Sequence, residues 1–178
     1  MCLTRCLGRP FDRQDRKGAR DMGNVQIRGW RRHDVGHVVD LWFELARHIN
    51  PMDGFYQITP NARDKYAGYL DRLFQDRNYA VFVADEGDKL IGFAMGRINR
   101  TPAVVLPETV GYIENIFIRD GKRGCGIGTA LCERLFVWFR ERQITHVELF
   151  YQMANSGAEA FWRKMGFTAW LAKAYRTI

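Results

Sequence analysis

Long hydrophobic runs are absent from this 178-residue sequence. No apolar stretch approaches the ~18 residues that a membrane-spanning helix requires, so we expect neither such a helix nor a membrane partner. The first 23 residues also lack the apolar segment of a secretory signal peptide, and three aspartates with little serine argue against a transit peptide. We therefore interpret residues 1–23 as a disordered N-terminal extension and residues 24–178 as one domain.

Cysteine and metal ligands are scarce, with four cysteines and four histidines in the chain. Cys2 and Cys6 lie in the N-terminal extension, whereas Cys125 and Cys132 lie in a glycine-rich turn and in the helix predicted after it. This spacing is not that of a disulfide framework, and no histidine neighbours Cys125 or Cys132 to activate a thiol nucleophile. The histidines lack a carboxylate-rich ligand set, so no metal site is predicted. Reduced cysteines without an export signal favour the cytoplasm.

Positive charge is only moderately in excess, with a formal net charge of +7. Residues 1–23 contain six basic and three acidic side chains, which leaves +4 for the remaining chain. The interleaved basic and stacking aromatic residues of a nucleic-acid-binding surface are missing from it. We therefore predict no nucleic-acid partner.

Hydrophobic periodicity predicts strands alternating with helices along the domain. Strands are expected at residues 25–30, 80–85, 90–96, 112–118 and 146–151, and another is expected to begin at residues 168–172. Helices are expected from Asp34 to about residue 50, and over residues 62–75, 127–139 and 156–165. This order predicts an α/β domain with a mixed central sheet.

The stretch 111–131 combines an apolar strand, a basic glycine-rich turn and the start of a helix. Glycines allow the backbone to bend tightly and to approach a ligand closely. The free N–H groups and the dipole of a helix N-terminus attract anions, and the Arg123 guanidinium suits phosphate. These features predict a site for a phosphate-bearing ligand.

Two common nucleotide-binding motifs do not fit this turn. A Walker loop requires Gly-Lys-Ser/Thr, but Ile127 follows Gly126. The dinucleotide fingerprint requires a third glycine where Thr129 stands, and it normally follows the first strand of its domain. The ligand is therefore expected to be of another class.

The run Arg123-Gly124-Cys125-Gly126-Ile127-Gly128 resembles the acetyl-CoA pyrophosphate loop of the GNAT superfamily of N-acetyltransferases, Arg/Gln-x-x-Gly-x-Gly/Ala. Residues 155–167 resemble the later family motif Asn-x-x-Ala-x-x-Phe-Tyr-x-Lys-x-Gly-Phe, and here Ser156 and Glu159 predict a capping box. The resemblance covers roughly residues 24–178. It implies a single-domain acetyltransferase fold whose mixed, mostly antiparallel central sheet is flanked by helices.

The resemblance implies acetyl-CoA as a co-substrate, without a metal. The implied cofactor-binding residues lie on the central strand, in the turn and in the later motif: Ile116, Phe117, Ile118, Arg123, Gly124, Cys125, Gly126, Ile127, Gly128, Thr129, Asn155, Phe161, Trp162 and Lys164. By the same resemblance, Asn155 is expected to contact the pantetheine amides, and Lys164 to lie near the CoA phosphates.

The implied reaction is direct attack of an amine on the thioester, for which Glu114 is the expected general base. Backbone N–H groups of the same strand are expected to stabilise the oxyanion. Where the family often has a tyrosine acid this sequence has Trp162, whose indole N–H cannot fill that role. Either the thiolate, with a thiol pKa near ~8.5, leaves without an acid, or Tyr151 or Tyr112 supplies the proton.

The leading hypothesis is therefore an N-acetyltransferase that acts on a primary amine of a small molecule or peptide. The alternative is a non-catalytic acyl-CoA-binding regulatory module, in which Trp162 marks a lost acid. Glu44, Phe55 and Tyr56 are candidates for the acceptor site, because this part of the family fold shapes the acceptor pocket. The aromatic side chains are also compatible with a homodimer.

Overall fold

The structure, a computed structural model, describes residues 22–49, 57–87, 89–174 and 176. Residues 1–21 of the predicted extension, together with Phe55 and Tyr56, lie outside this part. The described strands are β1 (Gln26–Gly29), β2 (Tyr79–Asp85), β3 (Leu90–Arg100), β4 (Thr109–Ile118) and β5 (Val147–Leu149). The described α-helices are α1 (Val35–Ile49), α2 (Ala62–Leu73), α3 (Ile127–Arg140) and α4 (Ser156–Lys164).

The strands form one mixed sheet in the order β1-β2-β3-β4-β5. The pairs from β1 to β4 are antiparallel, whereas β4 and β5 are parallel. A parallel pair needs a crossover connection, and α3 provides it. The predicted mixed, mostly antiparallel sheet is therefore confirmed.

Strand β4 is irregular at two places that matter for the site. Its register with β3 runs from Met95–Asn115 to Gly96–Ile113, so Glu114 is an extra residue that forms a β-bulge. Its pairing with β5 covers only residues 111–113. Residues 114–118 therefore have no strand partner on the β5 side among the described residues, and the two strands leave a gap there.

Two hydrophobic clusters cover the two faces of the sheet. One contains the inner side of α3, with Leu131, Leu135 and Phe139 fully or almost fully buried. The other contains the inner sides of α1 and α2, with Val38, Leu41 and Leu70 at 0% exposure. The helices α1 and α2 therefore share a face of the sheet opposite α3.

The close fit of α3 depends on two glycines of the sheet. A Cβ atom at Gly111 would lie 2.7 Å from the Phe139 ring, and one at Gly96 would lie 3.1 Å from it. Such distances leave no room for a side chain. Gly111, at the start of the predicted motif stretch, is thus explained by helix packing.

The chain after α4 differs from the sequence prediction. The prediction of a strand beginning at residues 168–172 was wrong, because these residues form no strand. Trp170 and Leu171 are 81% and 66% exposed. An apolar run becomes a strand only when a neighbouring strand pairs with it and a layer covers it. The predicted Ser156 cap was also wrong, since Asn155 is the N-cap residue and its Oδ1 accepts the Ala158 N–H at 2.9 Å.

Candidate active site

The glycine-rich turn between β4 and α3 has the backbone conformation that its sequence predicts. Gly121, Gly124 and Gly126 have φ angles of +78°, +79° and +85°, a region that residues with a side chain rarely adopt. Gly126 is the N-cap of α3, and no side chain caps this helix. The first N–H groups of α3, those of Ile127, Gly128 and Thr129, therefore remain available for an anion.

Arg123 closes the turn back onto β4. Its Nε donates to the Ile118 carbonyl at 2.9 Å, and its Nη1 lies 3.0 Å from Asp120. The guanidinium also lies 5.5 Å from the centre of the Phe117 ring. The side chain is thus held at the end of the unpaired half of β4, and it brings positive charge to the helix N-terminus.

The unpaired edge of β4 presents two backbone donors to the gap. The Arg119 N–H donates to Ile91 of β3 at 2.9 Å. Because successive residues of a strand point to alternate sides, the N–H groups of Ile118 and Ile116 point away from β3, toward the gap. An extended amide chain could bond there as an additional strand does.

A cavity of about 470 Å³ adjoins this edge, and we call it the basic cavity. It is lined by Glu44, Arg47, His48, Phe117, Arg119, Asp120 and Arg123. Arg119 is held by Glu44, with Nη2–Oε1 and Nε–Oε1 distances of 2.8 and 3.0 Å. With three arginines and two carboxylates, this cavity favours a negatively charged occupant.

Helix α4 packs against the N-terminus of α3 and completes the wall of the turn. A Cβ atom at Gly128 would lie 3.3 Å from the Phe161 ring, so the two helices meet at this glycine. Trp162 is 5% exposed and contacts Phe161 and Phe167 at ring distances of 4.9 and 5.3 Å. The indole that stands in the family's tyrosine position therefore lies in the core. Lys164 is exposed on the last turn.

The bulge directs Glu114 to the face of the sheet that α1 and α2 cover. Its Oε1 accepts a hydrogen bond from the Tyr69 hydroxyl at 3.3 Å, and Tyr69 in turn lies 3.5 Å from the Tyr79 hydroxyl. Burial raises the pKa of Glu114, while the positive charge of Arg97 and the hydrogen bond from Tyr69 oppose that rise. The half-buried carboxylate is therefore a better proton acceptor than an exposed glutamate.

A second cavity of about 410 Å³ lies between α1 and α2, and we call it the aromatic cavity. It is lined by Trp42, Ala46, Ile49, Gln57, Ile58, Thr59, Ala62, Lys65, Tyr66 and Tyr69. Tyr69 belongs to this wall and also donates to Glu114, which is not itself a lining residue. The aromatic cavity and the candidate base are therefore linked through Tyr69.

The tyrosines considered as acids lie in different surroundings. Tyr151 follows β5 and packs against the cluster on the α3 face, the face opposite Glu114. Tyr112 packs under Arg97, with the guanidinium 5.0 Å from its ring centre. Burial and the Glu114 carboxylate raise the Tyr112 pKa against the effect of Arg97. The Tyr112 hydroxyl is therefore coupled electrostatically to Glu114, whereas Tyr151 lies on the other face of the sheet.

Sequence reasoning missed three residues around Glu114, namely Tyr66, Tyr69 and Arg97. Both tyrosines fall in the helix predicted over residues 62–75, and their positions in the sequence do not indicate a contact with Glu114. Arg97 directly follows the buried apolar run of β3, where a charged residue is unusual. The charged Arg97 at the end of an apolar strand could have indicated a functional residue. The contacts of the two tyrosines could not be predicted, because they depend on how α2 crosses the sheet.

Among the described residues we find neither a reactive buried thiol at Cys132 nor a cluster of metal-binding side chains. Burial raises the Cys132 pKa to about 12, so its thiol stays protonated at neutral pH. In the ranges that the structure describes, no group of three or more His, Cys, Asp or Glu side chains could hold a metal ion. None of the helices in those ranges is long and apolar enough to cross a membrane.

The arrangement combines an uncapped helix behind a glycine turn, two strands that separate beside it, and a half-buried carboxylate on the same strand. Comparison with known families shows that residues 37–167 match the model of the acetyltransferase (GNAT) family. This match covers more than half of the chain. The chain therefore belongs to the GNAT acetyltransferase family.

A curated relative is an uncharacterized N-acetyltransferase of Methanocaldococcus jannaschii, 28% identical over 141 residues, which cover 79% of this chain. The aligned part spans 59% of that relative's length. The fold is similar to that of the aminoglycoside N-acetyltransferase AAC(6′)-Iy in complex with CoA, with a TM-score of 0.72, 18% identity, and coverage of 86% and 94% of the two chains. It is also similar to that of a predicted acetyltransferase from Clostridium acetobutylicum with acetyl-CoA, with a TM-score of 0.70, 19% identity, and coverage of 84% and 96% of the two chains.

Proposed function

We propose that this protein transfers an acetyl group from acetyl-CoA to a primary amine of a small molecule or peptide. The observation that carries the proposal is the unpaired half of β4 at residues 114–118. It joins an anion-binding turn at one end to a half-buried carboxylate at the other. A thioester held along this edge would have its reactive carbon between the two.

The described residues fit acetyl-CoA in a specific order along the edge. The pyrophosphate would accept hydrogen bonds from the turn Gly124, Cys125 and Gly126 and from the first turn of α3, with Arg123 beside it. The pantetheine amides would pair with the strand Ile116, Phe117 and Ile118, as an extra strand would. Phe161 would line this path, and Lys164 would contribute charge near the phosphates.

Two assignments implied by the resemblance take a different form in this proposal. Asn155 uses its Oδ1 to cap α4, so its amide NH₂ and one remaining lone pair of Oδ1 would be available to the pantetheine. Trp162 lies in the core and would act by supporting Phe161 rather than by touching the cofactor. Both side chains would thus shape the site through α4.

Glu114 would accept the proton that the acceptor ammonium must lose before it can attack. The amine nitrogen then bonds the thioester carbon, and a β4 backbone N–H stabilises the oxyanion. When the tetrahedral species collapses, the C–S bond breaks and CoA leaves as a thiolate, and the nitrogen gives its second proton to water or to that thiolate, which leaves a neutral amide. A thiol pKa near ~8.5 makes this thiolate an acceptable leaving group without a protein acid, and water then protonates part of it.

The proposal is tested by following release of free CoA thiol from acetyl-CoA in the presence of single amines. The amines should include an aromatic monoamine, polyamines, amino acids, aminoglycosides and a peptide with a free N-terminus. We expect release that depends on one of these acceptors and yields its acetylated product by mass. Acetyl-CoA binding without release for any acceptor would instead support the acyl-CoA-binding module.

A further inference from the structure

We infer that the acceptor is a primary monoamine on an aromatic body, bound in the aromatic cavity, and that amines with a second positive charge are disfavoured. This inference rests on the proposed acetyl transfer and adds the class of acceptor to it. Three observations carry it: the shape of the cavity walls, the aromatic surface within them, and the charges along them.

Most of the residues that line the aromatic cavity lie on faces of two helices, and Gln57, Ile58 and Thr59 of the segment before α2 complete the wall. Residues 62, 65, 66 and 69 follow the i, i+3, i+4, i+7 spacing of one face of α2. Residues 42, 46 and 49 form the facing side of α1. Since two packed helices position these side chains, the cavity is pre-formed, and its volume of about 410 Å³ suits a small molecule.

Flat aromatic surface dominates one side of this space. The Trp42 and Tyr66 rings stack at 4.3 Å between centroids, with 23° between their planes. Tyr66 also meets Tyr69 at a ring distance of 5.9 Å. Ile49 and Ile58 supply aliphatic surface around these rings. Aromatic rings pack well against such surfaces, so an aromatic acceptor would bury most of its area here.

The Tyr66 hydroxyl is buried and has no hydrogen-bond partner among the described residues. A buried unpaired hydroxyl costs about 1–3 kcal/mol, which makes it uncommon without a reason. The phenol stays protonated, because burial and the Glu114 charge both raise its pKa. Tyr66 therefore adds a neutral aromatic surface to the cavity wall.

The charges of the site suit one ammonium group. Glu114, which Tyr69 links to the cavity, would receive it, but the Arg97 charge already acts on that carboxylate. Lys65 is the only charged side chain among the ten lining residues, and it is exposed at the outer part of α2. Nearby carboxylates on α1 are already paired, Asp40 with Arg63 and Glu44 with Arg119. A second ammonium would meet Lys65 without a carboxylate among these lining residues.

The test compares 2-phenylethylamine with the same ring carrying an additional aminomethyl group, and with spermidine. We expect kcat/KM for 2-phenylethylamine to exceed that for either polycation by about tenfold or more, because one buried contact changes specificity by that order. Equal or higher kcat/KM for the polycations would overturn the inference while leaving acetyl transfer intact.

Charge reversal at Lys65 separates the contribution of this residue from general charge effects. Lys65→Glu should raise kcat/KM for the two-charge amine by about tenfold relative to 2-phenylethylamine, since it converts repulsion into attraction. Lys89→Glu makes the same change in the exposed β2–β3 connection and should leave the ratio unchanged. An unchanged ratio in Lys65→Glu would contradict the proposed charge selection.

Direct binding tests the inference even if no amine is acetylated. Binding of 2-phenylethylamine to the CoA-bound protein can be followed by NMR, without turnover. Binding that weakens by about tenfold in Trp42→Leu would support the aromatic cavity even though the transferase proposal had failed. Absence of binding to the wild-type protein would overturn the cavity assignment itself.

Discussion

Helix α1 separates two cavities of similar size and opposite character. Glu44, Arg47 and His48 line the basic cavity, whereas Trp42, Ala46 and Ile49 line the aromatic cavity. The basic cavity adjoins the glycine-rich turn at Arg123, and the aromatic cavity shares Tyr69 with the Glu114 carboxylate. We interpret this difference as a division between a side for the CoA phosphates and a side for the amine.

The two cavities depend on different features of the sequence. The turn beside the basic cavity needs glycine at particular positions of one short segment. The aromatic cavity needs the correct packing of two helices whose residues are distant from the turn. A substitution should therefore affect one side without the other, except at Glu114, which lies between them.

The largest effect is expected at Glu114, where the two sides meet. Glu114→Gln keeps the size and the Tyr69 contact but removes the proton acceptor, so kcat should fall by about 10²–10⁴-fold. The affinity for acetyl-CoA, measured by calorimetry, should stay nearly unchanged. Glu148→Gln on the exposed side of β5 is the matched control and should keep full activity. Retention of kcat in Glu114→Gln would remove the base assignment.

The next largest effect tests the backbone of the glycine turn. Gly126→Val places a β-branched residue at a φ angle of +85°, where strain of about 1–3 kcal/mol predicts a loss of acetyl-CoA affinity of roughly tenfold to a hundredfold. Nothing lies within 4 Å of the added Cβ atom, so the effect comes from the backbone alone.

Gly87→Val provides the control for that strain, because Gly87 has a φ angle of +82° in the distant β2–β3 connection. It should lower thermal stability in a similar way but keep the acetyl-CoA affinity. Equal losses of affinity in the two variants would show that the turn has no special role in binding.

The sequence predicts the glycine-rich turn better than it predicts the contacts around Glu114 and the aromatic cavity. The turn at residues 123–128 was predicted from local sequence, since positive φ angles select glycine directly. The Glu114 position on β4 was also predicted, but its bulge was not, because a bulge appears only in the register between two strands. The Tyr69–Glu114 contact joins residues 45 apart in sequence and depends on helix placement.

A smaller effect concerns the pH dependence of catalysis. Glu114 must be ionised to accept a proton, so kcat/KM should fall as the pH decreases through its raised pKa. Arg97 lowers that pKa by its charge. Arg97→Met should therefore move the acidic limb of the profile to higher pH, whereas Arg100→Met, at the exposed end of the same strand, should not move it. A limb that stays in place or moves to lower pH would contradict the assigned interaction.

The most direct test of the division measures the acetyl-CoA dissociation constant and the acceptor KM in two variants, one for each cavity. Arg119→Gln should weaken acetyl-CoA binding by about threefold to tenfold, as loss of one charge contact does, without changing the acceptor KM. Trp42→Leu should raise the acceptor KM by about tenfold without changing acetyl-CoA binding. If either variant changes both quantities in parallel, the two cavities do not serve separate substrates.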